Sequence, residues 1–135
     1  MRTVFFLVSL IAALTIAATA AEERRYTKNQ LEARFTHMEA PEYPYWARRS
    51  GITGRGVFRI YVDEQGKVTD AKALKSVGNH MLDREVIKAF MLWRAKPGVR
   101  LEIDMPITFT MKYVTGVPYV APDPSAHVTV REFRH

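Results

Sequence analysis

The sequence predicts an α+β fold, a three-stranded antiparallel sheet with two helices packed on one face, and three stretches carry that prediction. Residues 54–76, GRGVFRIYVDEQGKVTDAKALKS, put Phe58, Ile60 and Val62 on one face of an extended segment. A polar DEQG turn follows, and the returning segment offers Val68, Ala71 and Ala73 to the same face, the pattern of a β-hairpin. Residues 77–98 then place Leu82, Val86, Ala89, Phe90 and Trp93 at helical spacing before Pro97 and Gly98 end the run. Residues 99–114 alternate again, with Ile103, Met105, Ile107, Phe109 and Met111 on one side, and form the third strand. A two-stranded hairpin is marginal alone, so the helical stripe is its lid.

Length and composition bound what these elements can build. A chain of 135 residues supports one small domain, placed at residues 41–114, between a charged lead-in (21–40) and a proline-containing tail (115–135). The formal charge is +6, with Arg24, Arg25, Arg48, Arg49, Lys72, Lys75, Arg94 and Lys96 scattered along the sequence. Nucleic-acid binding calls for a basic stripe with interleaved aromatics, which is missing, so no nucleic-acid partner is expected. An acidic protein surface, or solubility alone, accounts for the charge. The absence of cysteine excludes disulfides, thiolate metal sites, a cysteine nucleophile and a lipidated N-terminal cysteine.

Taken in order, residues 1–20 pair one positive side chain with an apolar run, and Ala18 and Ala20 stand where a signal peptidase reads small residues. Cleavage after Ala20 would export the rest. The alternative is an uncleaved anchor, because the 18 residues from Val4 to Ala21 are long enough to span a bilayer. In either case the remainder is expected to be exported, since the positive end stays cytoplasmic. The lead-in carries Leu31, Phe35 and Met38 at helical spacing, a short amphipathic helix or a solvated segment touching the domain. Pro44 suits the first position of a short helix through Tyr45, Trp46 and Ala47, which Gly51 can end in the left-handed conformation. Pro106 cannot donate to a ladder, which favours an edge position for the third strand. In the tail, HVTVREF has the alternation of a short extra strand.

Chemistry-bearing constellations are thin, and no enzyme, metal or cofactor is predicted. His37, His80, His127 and His135 are far apart in sequence and lack a second ligand at a recognisable spacing. Asp83 and Glu85 favour the dipole of the long helix, while Asp63 and Glu64 fall in the hairpin turn as solvated residues. GITGRG lacks the lysine and hydroxyl of a phosphate-binding loop, and no serine sits in a nucleophile elbow. The functional candidate is instead a sheet edge whose unpaired backbone groups can take an extended peptide as an added strand. The tail or a second copy of the domain, giving a homodimer, could equally cover such an edge.

The ordered set of Tyr43 and Pro44, Gly56, Val62 and Asp63, Gly66 and Val68, Ser76 and Gly78, Leu82 and Asp83, Trp93 and Pro97, and MPITF at 105–109 resembles the C-terminal domain of the TonB family. The likeness runs over about residues 41–113 and implies the same three-stranded, two-helix α+β domain. It implies a periplasmic protein or peptide partner, a TonB-dependent outer-membrane transporter, whose TonB box pairs as an added strand with residues 99–114, and so points to Leu101, Ile103, Met105, Ile107, Phe109 and Met111 as the partner-binding residues. Four departures stand out. Residues 1–21 contain no histidine, whereas family anchors carry one within the span. Residues 22–40 stand where the family has a long proline-rich linker, and fully extended they reach only about 65 Å. Ala95 replaces the usual phenylalanine, and the 98–102 connection is compact, so a slightly smaller core is expected.

The sequence therefore predicts a periplasmic protein- or peptide-binding module that works by strand addition in outer-membrane transport. The alternative is a membrane-anchored, TonB-like energy transducer driving active transport through outer-membrane receptors. The intact mass of the mature protein separates them: a mass lacking residues 1–20 eliminates the anchored form, and retention of these residues eliminates the cleaved one.

Overall fold

The computed structural model describes residues 21–114, 117–122 and 128–134, with the backbone alone described for 112–114 and 117–122. The segment read as signal peptide or anchor lies outside the described residues. The chain runs β1 (Glu22–Tyr26), α1 (Lys28–Arg34), β2 (Phe35–His37), α2 (Tyr45–Arg49), β3 (Gly54–Val62) and β4 (Val68–Lys75). It continues through α3 (His80–Phe90), β5 (Arg94–Ala95), β6 (Arg100–Val114), β7 (Val117–Pro122) and β8 (Val128–Phe133). The fold is α+β, but the expected three strands, β6-β3-β4, are one end of a larger sheet ordered β1-β8-β6-β3-β4, with β7 paired to the second half of β6. Three helices, not two, contribute to one core, because the lead-in supplies α1. The extra strands come from both flanks, which fold against the domain rather than trailing from it.

The hairpin forms as its alternation predicts: Phe58, Ile60 and Val62 are buried, and they face Ala73, Ala71 and Val68 across the ladder. Asp63 builds the turn rather than standing solvated, its carboxylate accepting from the amides of Gln65 (3.0 Å) and Lys67 (2.8 Å). Gly66 adopts a positive φ of 86°, and a Cβ there would collide with the Ala95 carbonyl oxygen, which ties the turn to β5. On the other side of β3, β6 pairs antiparallel over nine residues, from Gly54↔Phe109 to Val62↔Leu101. Strands β4 and β6 therefore run parallel on either side of β3, joined through α3.

Asn79 caps α3 by accepting from the Met81 and Leu82 amides, at 3.0 and 3.2 Å. Its stripe of Leu82, Val86, Ala89 and Phe90 is buried over the sheet, and Trp93, just past the helix, is buried with them. Phe58, Phe90, Trp93 and Phe35 form an edge-to-face chain with centroid spacings of 6.1, 4.8 and 5.2 Å. Asp83 does more than favour a dipole. Its carboxylate accepts from Ser76 Oγ (2.5 Å) and the Val77 amide (2.9 Å), fixing the corner between β4 and α3.

The lead-in makes a strand before its helix. Thr27 and Gln30 close a reciprocal capping box at the start of α1, whose Leu31 enters the core. At Phe35 the chain turns extended and pairs with β5, so Phe35 is buried from a strand instead of from a continuing helix.

The corner built by Asp83 lies against the start of β3, where a Cβ on Gly54 would collide with the Val77 carbonyl oxygen, while one on Gly98 would meet nothing. Gly54→Ala should cost on the order of 1–3 kcal/mol, as overpacking against rigid backbone does, and Gly98→Ala less than about 0.5 kcal/mol. Urea denaturation of the two variants checks this, and equal midpoints would show that the corner yields freely.

Candidate partner-binding edge

Strand β6 holds all six residues singled out from the sequence, and its pleat sorts them to one face. Leu101, Ile103, Met105, Ile107 and Phe109 are each no more than 3% exposed. Met111 is half-buried, its sulfur 3.5 Å from the Tyr43 hydroxyl, and that hydroxyl also donates to the Ile52 carbonyl. These side chains are core, packed under the helices with Phe58, Ile60 and Val62. What β6 can offer a partner is its backbone and its other face, which presents Glu102, Asp104, Pro106 and Thr108.

On the side away from β3, the β6 backbone is already paired. Strand β8 covers Arg100 to Asp104 in five antiparallel pairs, from Arg100↔Phe133 to Asp104↔Thr129. Strand β7 covers Ile107 to Thr110 and closes on Val114↔Val117. Between them, among the described residues, neither strand reaches Met105 or Pro106. Pro106 thus stands at the junction of the two covering strands, inside the sheet and opposite Val57 of β3, and not at the edge its missing donor favours.

Two charged clusters, neither apparent from the sequence, hold β8 in place from opposite faces. On the face away from the helices, Asp104 accepts from Arg59 Nε (2.7 Å) and Nη2 (3.1 Å) on β3 and from Arg131 Nη2 (2.9 Å) on β8. Arg131 also reaches Glu23 of β1 at 3.4 Å. Burial pushes the Asp104 carboxyl up, but hydrogen bonds from Arg59 and Arg131, with their charges, outweigh it and hold the group below its ordinary value.

On the core-facing side, Glu132 has a side chain only 1% exposed. It accepts from the Tyr26 hydroxyl (2.7 Å) of β1 and from Arg134 Nη2 (2.8 Å) and Nε (3.3 Å), and it pairs with Arg34 of α1 at 3.2 Å. The Arg134 hydrogen bonds lower its pKa most, burial opposes them, and Tyr26 and the Arg34 charge bring it further down. A sequence signal for Glu132 exists in hindsight: it interrupts the apolar face of VTVREF where Val128 and Val130 lead.

Among the described residues no group of three or more His, Cys, Asp or Glu is placed to hold a metal, and no helix is long and apolar enough to cross a membrane. His37 lies 3.3 Å from Glu39 on the surface and His80 opens α3.

Because the folded pKa values of Asp104 and Glu132 are depressed, each group contributes stability that is present above its unfolded pKa, near about 4, and lost as pH falls through the folded value. Glu132→Gln should therefore lower stability at pH 7 by about 1–3 kcal/mol, with the deficit shrinking steadily below about pH 4. Urea titrations at several pH values check this; a deficit independent of pH would mean that the charge of Glu132 contributes nothing.

The sequence model of the family described as Gram-negative bacterial TonB protein C-terminal matches residues 39–114. Protein tonB2 of Pseudomonas aeruginosa is 34% identical over 85 residues, which are 58% of this chain and 32% of that protein. Protein TonB of Vibrio cholerae is 33% identical over 78 residues, 53% of this chain and 32% of that protein. The chain thus spans about a third of the length of these relatives. A solution NMR structure of the Pseudomonas aeruginosa TonB CTD aligns over 83% of this chain and 95% of that one, at 23% identity and a TM-score of 0.46. With more than half of its length matched by the family model, this chain belongs to the TonB C-terminal family.

Proposed function

We propose that the chain is a periplasmic protein-binding module of TonB-dependent outer-membrane transport, and that a transporter segment adds as a strand to the backbone of β6 between Leu101 and Met111. The observation that carries this reading is where the covering strands come from. The family match ends at residue 114, whereas β7 and β8 lie beyond it and β1 lies before it. Within the matched unit β6 is one of the two edge strands of the sheet, and it is the one that this chain's own flanks cover.

Displacing β8 exchanges one set of backbone hydrogen bonds for another, so the ladder itself sets little of the cost. The side chains set it. Val128 and Val130 are buried, and each is worth about 1.5–3 kcal/mol if fully exposed. An incoming segment must supply comparable apolar side chains at alternate positions. It need not replace Glu132, which leaves the core together with β8 and is rehydrated, leaving no unpaired carboxylate behind. Asp104 likewise keeps Arg59 when Arg131 departs.

Arg100 and Phe133 are ladder partners on the uncovered face, where the guanidinium lies 4.2 Å from the ring centroid. The pair Arg100→Cys with Phe133→Cys therefore places two thiols directly opposite each other in antiparallel strands, close enough to be joined. Oxidation should weaken capture of a TonB-box peptide from a transporter by about tenfold or more, and reductant should restore it. Equal affinity in the oxidised and reduced states would rule out β6 as the pairing strand.

A further inference from the structure

Strand β1 forms one margin of the sheet, and its five residues pair only with β8 among the described residues. The opposite margin, β4, differs in kind. Its register with β3 jumps at Leu74 and again at Thr69, and such bulges twist an edge away from further pairing. The β1 register runs unbroken from Glu22↔Glu132 to Tyr26↔Val128, so its outer backbone is a straight, regular template.

Beside that edge lies a groove of about 520 Å³ lined by Arg24, Arg25 and Tyr26 of β1 and by Gln30, Ala33 and Arg34 of α1. Three consecutive strand residues belong to both faces of β1, so the groove opens along the strand's edge. Residues 30, 33 and 34 share one helical face and form the facing wall. The capping box between Thr27 and Gln30 fixes α1 directly after β1 and sets the distance between the walls.

The groove's charge selects an occupant. Three arginines line it, and the carboxylates nearest them, Glu22 on Arg24 and the buried Glu132 on Arg34, leave a basic surface with Arg25 exposed. A second copy of the chain is the competing occupant: the antiparallel register centred on Arg24 sets Arg24 against Arg24 but also Glu23 against Arg25 twice, so self-association is a separate outcome of the test below. We propose that the open edge of β1 and its groove form a second docking site, which takes an acidic, extended segment of a partner protein by strand addition. This site is separate from β6 and requires no strand to leave.

The test uses the full chain and two fluorescein-labelled heptapeptides, one alternating glutamate and valine, the other alternating lysine and valine. The acidic peptide should bind and the basic one should not, and Arg25→Glu with Gln30→Glu should weaken binding by about tenfold or more. Hydrogen exchange should show the largest slowing by the acidic peptide at amides 22–26, rather than at 100–104 or 128–133. The oxidised Arg100→Cys, Phe133→Cys chain should bind this peptide normally, so a failure here and a failure at β6 read differently. No protection at 22–26, protection shifted to β6, or concentration-dependent self-association that protects 22–26 without peptide would each overturn the assignment.

Discussion

The antiparallel ladder between β3 and β6 fixes everything else in this molecule. Its nine pairs set Phe58, Ile60 and Val62 beside Met105, Ile103 and Leu101, so both alternations point to one face. A slip of one residue would turn either set out into water. That shared face is what α3 covers with Leu82, Val86 and Phe90, and what Leu31, Phe35 and Ala47 complete from the lead-in side. The corner at Ser76 and Val77, held by Asp83 and seated against Gly54 and Gly56, sets where the helix begins its crossing.

Around this body the flanks are held by charge as much as by apolar burial. Arg59, Asp104 and Arg131 tie β3, β6 and β8 on one face, while Glu132 ties β8 to β1 and α1 on the other. Breaking a buried ion pair by removing one partner is costly because a charge is left stranded. Here the arrangement avoids that outcome for a departing β8. Asp104 retains two hydrogen bonds from Arg59, and Glu132 travels with its own strand into solvent. The central sheet can therefore lose its outer strand without burying an orphan charge.

The sequence made the body legible and hid the flanks for physical reasons. Large apolar residues at period 2 in 58–62 and at period 3.6 in 82–90 leave one reading each, and both strand and helix formed there. In β6 the same period shows which residues share a face but not whether that face meets a partner or the core, and it is the lid of α3 that buries Leu101 to Phe109. Strand β1, EERRY, has no apolar alternation at all. It is held by backbone pairing to β8 and by Tyr26 on Glu132, a contact across 106 positions that local pattern cannot contain. Helix α1 was foreshadowed by Leu31 and Phe35, yet it stops at Arg34 because Phe35 has a strand partner in Ala95. HVTVREF was legible as a strand; its role as the cover of β6 was not.

The two edges are coupled through β8, and the coupling has a sign. Strand β1 has β8 as its only described neighbour, and β8 is the strand that must leave for a partner to reach β6 between Arg100 and Asp104. An occupant of the β1 groove extends the sheet β1-β8-β6 and stabilises the arrangement in which β8 is in place. A segment seated on β6 removes the strand on which the groove is built. On the proposed reading the two ligands are therefore antagonists, and linkage makes the effect reciprocal: each lowers the other's affinity by the same factor. Arg34 lines the groove and also pairs with Glu132, so the side chains that would sense one occupant are those that hold the strand the other must displace.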